Sequence, residues 1–336
     1  MLGSPRGLGH RSVRETAHPY PHHRSRTSED TVLSHRTFLP RSGEQLTLRA
    51  GPYRATVTTV GATLRELDHA DRPLILRFDA DEPAPAAHGQ LLAPWPNRLP
   101  DGRYAFDGHT LGLALDEQEP PSALHGLVRW ETWTVAERAA DRVRLTLLLG
   151  ARPGYPWPLE LTAAYALDPD EGLRVTVTAR NAGGHRAPYG LGAHPYLTAG
   201  SPLGDCTLEV PAGRALYPDA RLRPDGPPRQ LAGTSEDFRT ARPVGDTVLN
   251  HSYTDLVRDI DGRTRVTLRS PDGPGVTLWA DARHPWLQLY TADHFGRPGL
   301  AVEPMTCPPG ALASGDDLAV LAPGDQHTAT WGIRTA

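Results

Sequence analysis

Glycine and proline punctuate this chain so often, 33 and 34 times in 336 residues, that few stretches are long enough to propagate a helix. Proline removes a backbone donor and clashes with the preceding turn, and glycine loses more backbone freedom than any other residue when held in a regular element. The segments between these breaks repeat every second residue. Residues 173–180 (Leu-Arg-Val-Thr-Val-Thr-Ala-Arg) alternate apolar and polar side chains, as a strand with one buried face requires. Residues 142–149 do nearly the same, and residues 131–135 suit their hairpin partner, with a turn near Ala140 and Asp141. Residues 265–268, 276–279 and 286–291 are further strand segments. Asp-Gly pairs at 101–102, 107–108, 261–262 and 272–273 stand where tight hairpin turns are expected. The pattern predicts an all-β fold, one large antiparallel β-sandwich of many strands with long loops.

Residues 1–40 read as a separate tail, rich in Arg, His, Ser and Pro and without sustained periodicity, ahead of a single domain over 41–336. The tail histidines His10, His18, His22, His23 and His35 lack regular ligand spacing, so no metal is assigned. A net charge of -4 and a pI near 6.4 argue against a nucleic-acid partner. The sequence contains no lysine, which excludes a Schiff-base mechanism. Two widely separated cysteines, Cys206 and Cys307, point to a reducing cytoplasm rather than a disulfide framework. No apolar run approaches a membrane span, and no apolar leader core is visible.

Four short clusters in turn-rich settings carry the residues capable of chemistry. They are Asn97-Arg98 with Asp101-Gly102, Leu124-His125-Gly126, His194-Pro195-Tyr196, and Glu303-Pro304. Each has an ordinary reading on its own. Arg98 suits an ion pair, His125 a turn, and His194 an extended position before proline. Glu303 is the least ordinary, because it follows Leu300-Ala301-Val302, and a carboxylate among apolar residues needs a partner or a purpose.

Taken together and in this order, the clusters resemble the aldose 1-epimerase (galactose mutarotase) family over about residues 45–334. The resemblance also rests on the run from Asn97 to Gly108, the tryptophans Trp130 and Trp133 after the Leu-His-Gly turn, the segment Gly154 to Trp157, and the closing Leu321 to Gly324. The wording from Glu303 to Pro309 (Glu-Pro-Met-Thr-Cys-Pro-Pro) is similar to a bacterial branch that includes enzymes for sulfonated and other unusual aldoses. The resemblance implies a β-supersandwich and cofactor-free interconversion of the anomers of a free aldose. It implies Glu303 as catalytic base and His194 as catalytic acid, with Arg98 and His125 near the ring oxygen and C1. Asn97 and Tyr196 join the expected sugar-binding set, and Tyr196 is a better stacking candidate than Trp133 or Trp157, for which core packing is at least as good a reading.

One position departs from the family pattern. A sugar-binding Asp usually precedes a His in a segment that here reads Asn250-His251-Ser252-Tyr253. Asn both accepts and donates hydrogen bonds but supplies no charge-assisted one. Asp255 is the nearby alternative. Two other functions are consistent with the sequence. One is a mutarotase for a sulfonated or phosphorylated aldose, drawing positive charge from Arg129, Arg258 or His251. The other is a carbohydrate-binding protein without turnover on the same fold.

Overall fold

A computed structural model describes residues 38–336. The expected tail, with its five histidines, lies outside the described residues except for 38–40.

Two large antiparallel sheets dominate. The first has nine strands in the order Thr134–Arg138, Arg142–Leu149, Leu159–Asp168, Gly172–Asn181, Gln326–Thr335, Gly275–Ala280, Thr264–Arg269, Thr207–Glu209 and Arg242–Pro243. The second has eight, ordered Arg229–Gln230, Ala212–Leu216, Asn250–Leu256, Trp286–Tyr290, Leu300–Met305, Gly192–Ala193 and Leu91–Leu92, with Tyr196–Leu197 also paired to Leu300–Met305. A four-stranded sheet over residues 45–73 adds a third layer of pairing. The described residues include a single turn of α-helix, Ala311–Ser314.

The alternation in the sequence is what buries the sheets. Leu159–Asp168 points Leu159, Leu161, Ala163, Tyr165 and Leu167 inward and Glu160 outward. Val175, Val177 and Ala179 of the neighbouring strand do the same. These residues share one core with Tyr253, Leu287, Leu289 and Val302 of the eight-stranded sheet, the arrangement of a β-sandwich.

Of the four Asp-Gly pairs, two make the expected hairpin turns: Asp107-Gly108 joins Arg103–Phe106 to His109–Gly112, and Asp272-Gly273 joins Thr264–Arg269 to Gly275–Ala280. Asp101-Gly102 and Asp261-Gly262 instead connect strands that belong to different sheets. The segment expected as a strand over 131–135 is corrected. The strand is Thr134–Arg138, because Trp133 is buried in the core and its indole N–H donates to the Val128 carbonyl, ending the preceding turn. Trp157 packs edge-on against Phe106 and Tyr155, so both Trp133 and Trp157 are core residues.

Candidate active site

The eight-stranded sheet carries one buried polar row. Ser252 pairs with Gln288, and Gln288 pairs with Glu303 on the next strand. Beyond it, Gly192 pairs with Met305 and Tyr196 with Ala301, so His194 falls opposite Glu303. Period-2 alternation sends Leu287, Leu289 and Val302 into the core and leaves the polar row on the other face. Glu303 is 2% exposed and His194 5%. Together with Gln288 they line a cleft of about 540 Å³. His194 is held in place through its backbone, its N–H donating to Gln90 and its carbonyl accepting from Gly89.

His194 Nε2 stands 3.3 Å from Glu303 Oε1. The second polar atom of each side chain, Nδ1 of His194 and Oε2 of Glu303, is buried without a protein partner. Burial pushes the Glu303 carboxyl well above the usual carboxylate range, with Arg98 pulling the other way. Burial also pushes His194 down, and the charges of His88, Arg98 and Arg129 add to this. Both shifts act against charge on the pair, favouring the carboxyl form of Glu303 and the neutral form of His194.

His125 and Asn97 form a second unit from two turns. Both have left-handed backbones, with φ of 60° and 56°. They are tied reciprocally: the Asn97 N–H donates to His125 Nδ1 at 3.1 Å, and the His125 N–H donates to the Asn97 carbonyl at 2.9 Å. With Nδ1 accepting, the neutral ring carries its proton on Nε2, leaving a donor for the cleft. Burial and then the charges of His194, Arg129 and Arg98 depress the His125 pKa, keeping the ring neutral. Gly126 must be glycine, since a Cβ there would sit 2.0 Å from the Ala93 carbonyl oxygen.

Arg98 follows Asn97 into the cleft and makes a bidentate pair with Glu117, both bonds 2.7 Å. Arg98 thus makes the ordinary ion pair and lines the cleft as well. Arg129 also lines the cleft; one terminal nitrogen pairs with Asp116 at 3.0 Å, and its buried Nε has no partner. Asn250 lines the cleft with its side-chain oxygen accepting from Gln288 Nε2 at 2.9 Å. Gln288 is fixed from its other side by the Ser252 hydroxyl.

Tyr196 lies between two imidazoles, 4.0 Å from His88 and 4.9 Å from His194 between ring centres, with all three rings near parallel. Trp130 lines the same cleft with half its surface exposed. The cleft thus brings together Glu303, His194, Arg98, His125, Asn97, Asn250 and Tyr196. Asp255 is left out. It is exposed near the end of the strand Asn250–Leu256, in a bidentate pair with Arg214 of the neighbouring strand, so Asn250 alone faces the cleft from that segment. Of the three groups expected to serve an anionic substrate, only Arg129 lines the cleft. Arg258 is spent on the carbonyls of Ala280, Asp281 and His284, and His251 packs against Tyr217.

Glu117, Gln288 and Tyr290 are cleft residues that sequence reasoning missed. A signal for two of them exists. In Trp286-Leu-Gln-Leu-Tyr290 the leucines mark the core face, so Gln288 and Tyr290 must share the other.

Comparison with known proteins bears on this arrangement. The sequence model of the aldose 1-epimerase family matches residues 44–334. The uncharacterized protein YihR of Escherichia coli (strain K12) is 35% identical over 298 residues, spanning 87% of this chain and 93% of that one. The aldose 1-epimerase of the same organism is 26% identical over 217 residues, 60% of each chain. Among solved structures, the GalM/aldose epimerase homologue from C. elegans superposes with a TM-score of 0.78 at 20% identity, covering 87% of this chain and 98% of that one. The galactose 1-epimerase from Lactobacillus acidophilus NCFM gives 0.74 at 21% identity, covering 86% and 94%. At these identities the structures speak for the fold alone, a galactose mutarotase-like β-sandwich.

Proposed function

This chain belongs to the aldose 1-epimerase family, and from that premise we propose that it interconverts the α and β anomers of a free aldose such as glucose or galactose. The observation that carries the reading is the His194–Glu303 pair, an acid and a base 3.3 Å apart at the floor of an open cleft, each with a buried atom lacking a partner. Buried polar atoms are costly to leave unpaired, and the hydroxyl and ring oxygen of a bound sugar would satisfy them.

Anomerisation needs two proton transfers at neighbouring oxygens. Glu303, as carboxylate, takes the proton of the C1 hydroxyl while the C1–O5 bond breaks. The electrons of that bond go to O5, which takes a proton from the His194 imidazolium. The open-chain aldehyde turns about C1–C2, and the same steps run backwards on its other face. No net proton is consumed, so a pair that holds one proton matches the stoichiometry. The neutral resting pair becomes the ionised pair by moving that proton from Glu303 to His194, and Arg98 favours the carboxylate so formed. His125 Nε2 and the Arg98 guanidinium are available to steady the ring oxygen as its charge changes. Asn250 and Gln288 face the hydroxyls.

A neutral aldose is preferred because Arg98 and Arg129 are already matched by Glu117 and Asp116. The unpartnered Nε of Arg129 favours a second reading, an aldose with a sulfonate or phosphate substituent. Both buried cysteines are free thiols, in keeping with a reducing cytoplasm. Exchange NMR of the two anomers of glucose and galactose tests the proposal. Faster exchange with enzyme supports it. Binding without exchange, for these sugars and for their 6-phosphates, would instead identify a carbohydrate-binding protein.

A further inference from the structure

The outer face of the nine-stranded sheet carries a second polar surface, which shares no residue with the cleft. Alternation turns Val143, Leu167, Val175, Ile333, Leu278 and Val266 into the core and leaves their neighbours outside. Strand register then sets Arg142 beside Ala166, Ala166 beside Arg174, Arg174 beside Gly332, Gly332 beside Trp279, and Trp279 beside Arg265. Two of the six positions are small, so the floor between the arginines stays low. Gly332 has no room for a side chain, since a Cβ there would stand 2.5 Å from the Trp279 ring. The result is a depression of about 670 Å³.

A charged sheet face is ordinarily a solvated one whose charges pair off. Three of these arginines follow that rule. Arg142 pairs with Glu137 and Asp141, Arg265 pairs with Asp259 and Asp261, and Arg263 lies 4.0 Å over the Trp279 ring and 3.7 Å from Asp261. Arg174 and Arg334 do not. Neither guanidinium has a hydrogen-bond or ion-pair partner among the described residues, and both line the depression. Arg334 stands two residues beyond Gly332 on the same face, so sheet geometry puts it about 7–8 Å diagonally from Arg174. The acid beside them, Asp168, spends one oxygen on the N–H groups of Asp170 and Glu171, each at 2.9 Å.

We propose that this depression binds a phosphate group, bridged by Arg174 and Arg334. Each guanidinium is a planar fork that matches two oxygens of an oxyanion. Two forks a diagonal apart reach one anion from two sides, which calls for more than two oxygens and more than one charge. A carboxylate satisfies one fork; a phosphate dianion satisfies both. The acids around the depression, Asp141, Asp168, Glu171 and Asp261, repel an extended acidic chain and select a compact ligand. The group is carried either by inorganic phosphate or by a small phosphate monoester.

Calorimetric titration with inorganic phosphate and with methyl phosphate tests this, at an ionic strength held constant with sodium chloride so that general screening does not change. The wild type should bind one equivalent. Arg174→Gln and Arg334→Gln, which keep most of each side-chain stem, should each weaken binding about tenfold or more, the size of a lost hydrogen bond to a charged group. Arg129→Gln, in the cleft, should leave it unchanged. Tighter binding of methyl phosphate would assign the site to a monoester, and tighter binding of inorganic phosphate to the free ion. Binding of neither anion, or binding that survives either sheet variant at full strength, overturns the site. No residue of the cleft is involved, so neither result bears on the anomerase reading. Arg174 is exposed and Arg334 half-buried, both outside the core, so the variants remain folded.

Discussion

His194 and Glu303 face each other from opposite positions of one sheet register, Nε2 to Oε1 at 3.3 Å, and each keeps its remaining polar atom buried and free. Neither strand alone would bring an acid to a base. The pairing of Gly192 with Met305 and of Tyr196 with Ala301 does so, and Pro195 interrupts the strand where the imidazole must reach the cleft.

The first prediction concerns pH and rate. The competent state holds one proton on the pair. Burial lowers His194, so a second proton is gained only well below the ordinary histidine value of 6.5. Burial raises Glu303, so the last proton is lost only well above the ordinary carboxyl value of 4.5. The profile of kcat/KM should therefore be a broad plateau across neutrality with limbs that belong to the pair. A rate that tracks an isolated imidazole, falling sharply near pH 6.5, would contradict the shared-proton account.

A second prediction is that the Glu303→Gln protein gains stability relative to the wild type as pH rises. The unfolded chain releases this proton near 4.5, whereas the folded chain keeps it to higher pH. The wild type thus loses stability as pH rises from about 4.5 through the raised value, and glutamine, which does not titrate, escapes that loss. The Tm difference, variant minus wild type, should be smallest near pH 4 and grow towards pH 8. His194 acts in the opposite sense. Its lowered value costs stability as pH falls below 6.5, and this is common to both proteins.

Asn250→Asp is expected to be tolerated, because the acceptor oxygen that receives Gln288 Nε2 remains. A carboxylate there adds a charge-assisted hydrogen bond to a sugar hydroxyl, roughly twice as strong as a neutral one. KM for glucose should fall several-fold with kcat little changed. Asn250→Leu should raise KM and leave Gln288 without its acceptor.

Trp157→Ala is expected to act on stability and not on chemistry. The ring is 6% exposed, packed on Phe106 and Tyr155, and absent from the cleft. Denaturant unfolding should show a loss of about 3–5 kcal/mol, with kcat per folded molecule retained.

The strands were legible wherever one face is buried and the other wet. Residues 142–149 and 173–180 alternate because their sheet has a core side and a solvent side, and both lie in strands, Arg142–Leu149 and Gly172–Asn181. The strand near 131–135 was misplaced because Trp133 reads as a strand residue but packs under the turn before it. Site residues beside glycine or proline, such as His125 and His194, announce themselves through backbone demands. Gln288 and Glu117 do not. Gln288 owes its place to a side-chain hydrogen bond to Asn250, 38 residues before it, and to its strand pairing with Glu303, 15 after it, and Glu117 reaches Arg98 from 19 residues away in the chain. Asp255 lies outside the cleft for a local reason, since Arg214 on the neighbouring strand holds its exposed carboxylate.

The most direct measurement is polarimetry of freshly dissolved α-D-glucose and α-D-galactose, with wild type beside Glu303→Gln and His194→Asn. The wild type should speed the approach to equilibrium, and each variant, folded by circular dichroism, should lose about 10²- to 10⁴-fold in rate, the usual contribution of one placed proton-transfer group. A Glu303→Gln protein that equilibrates either sugar at near wild-type rate would contradict the assignment of Glu303 as the base.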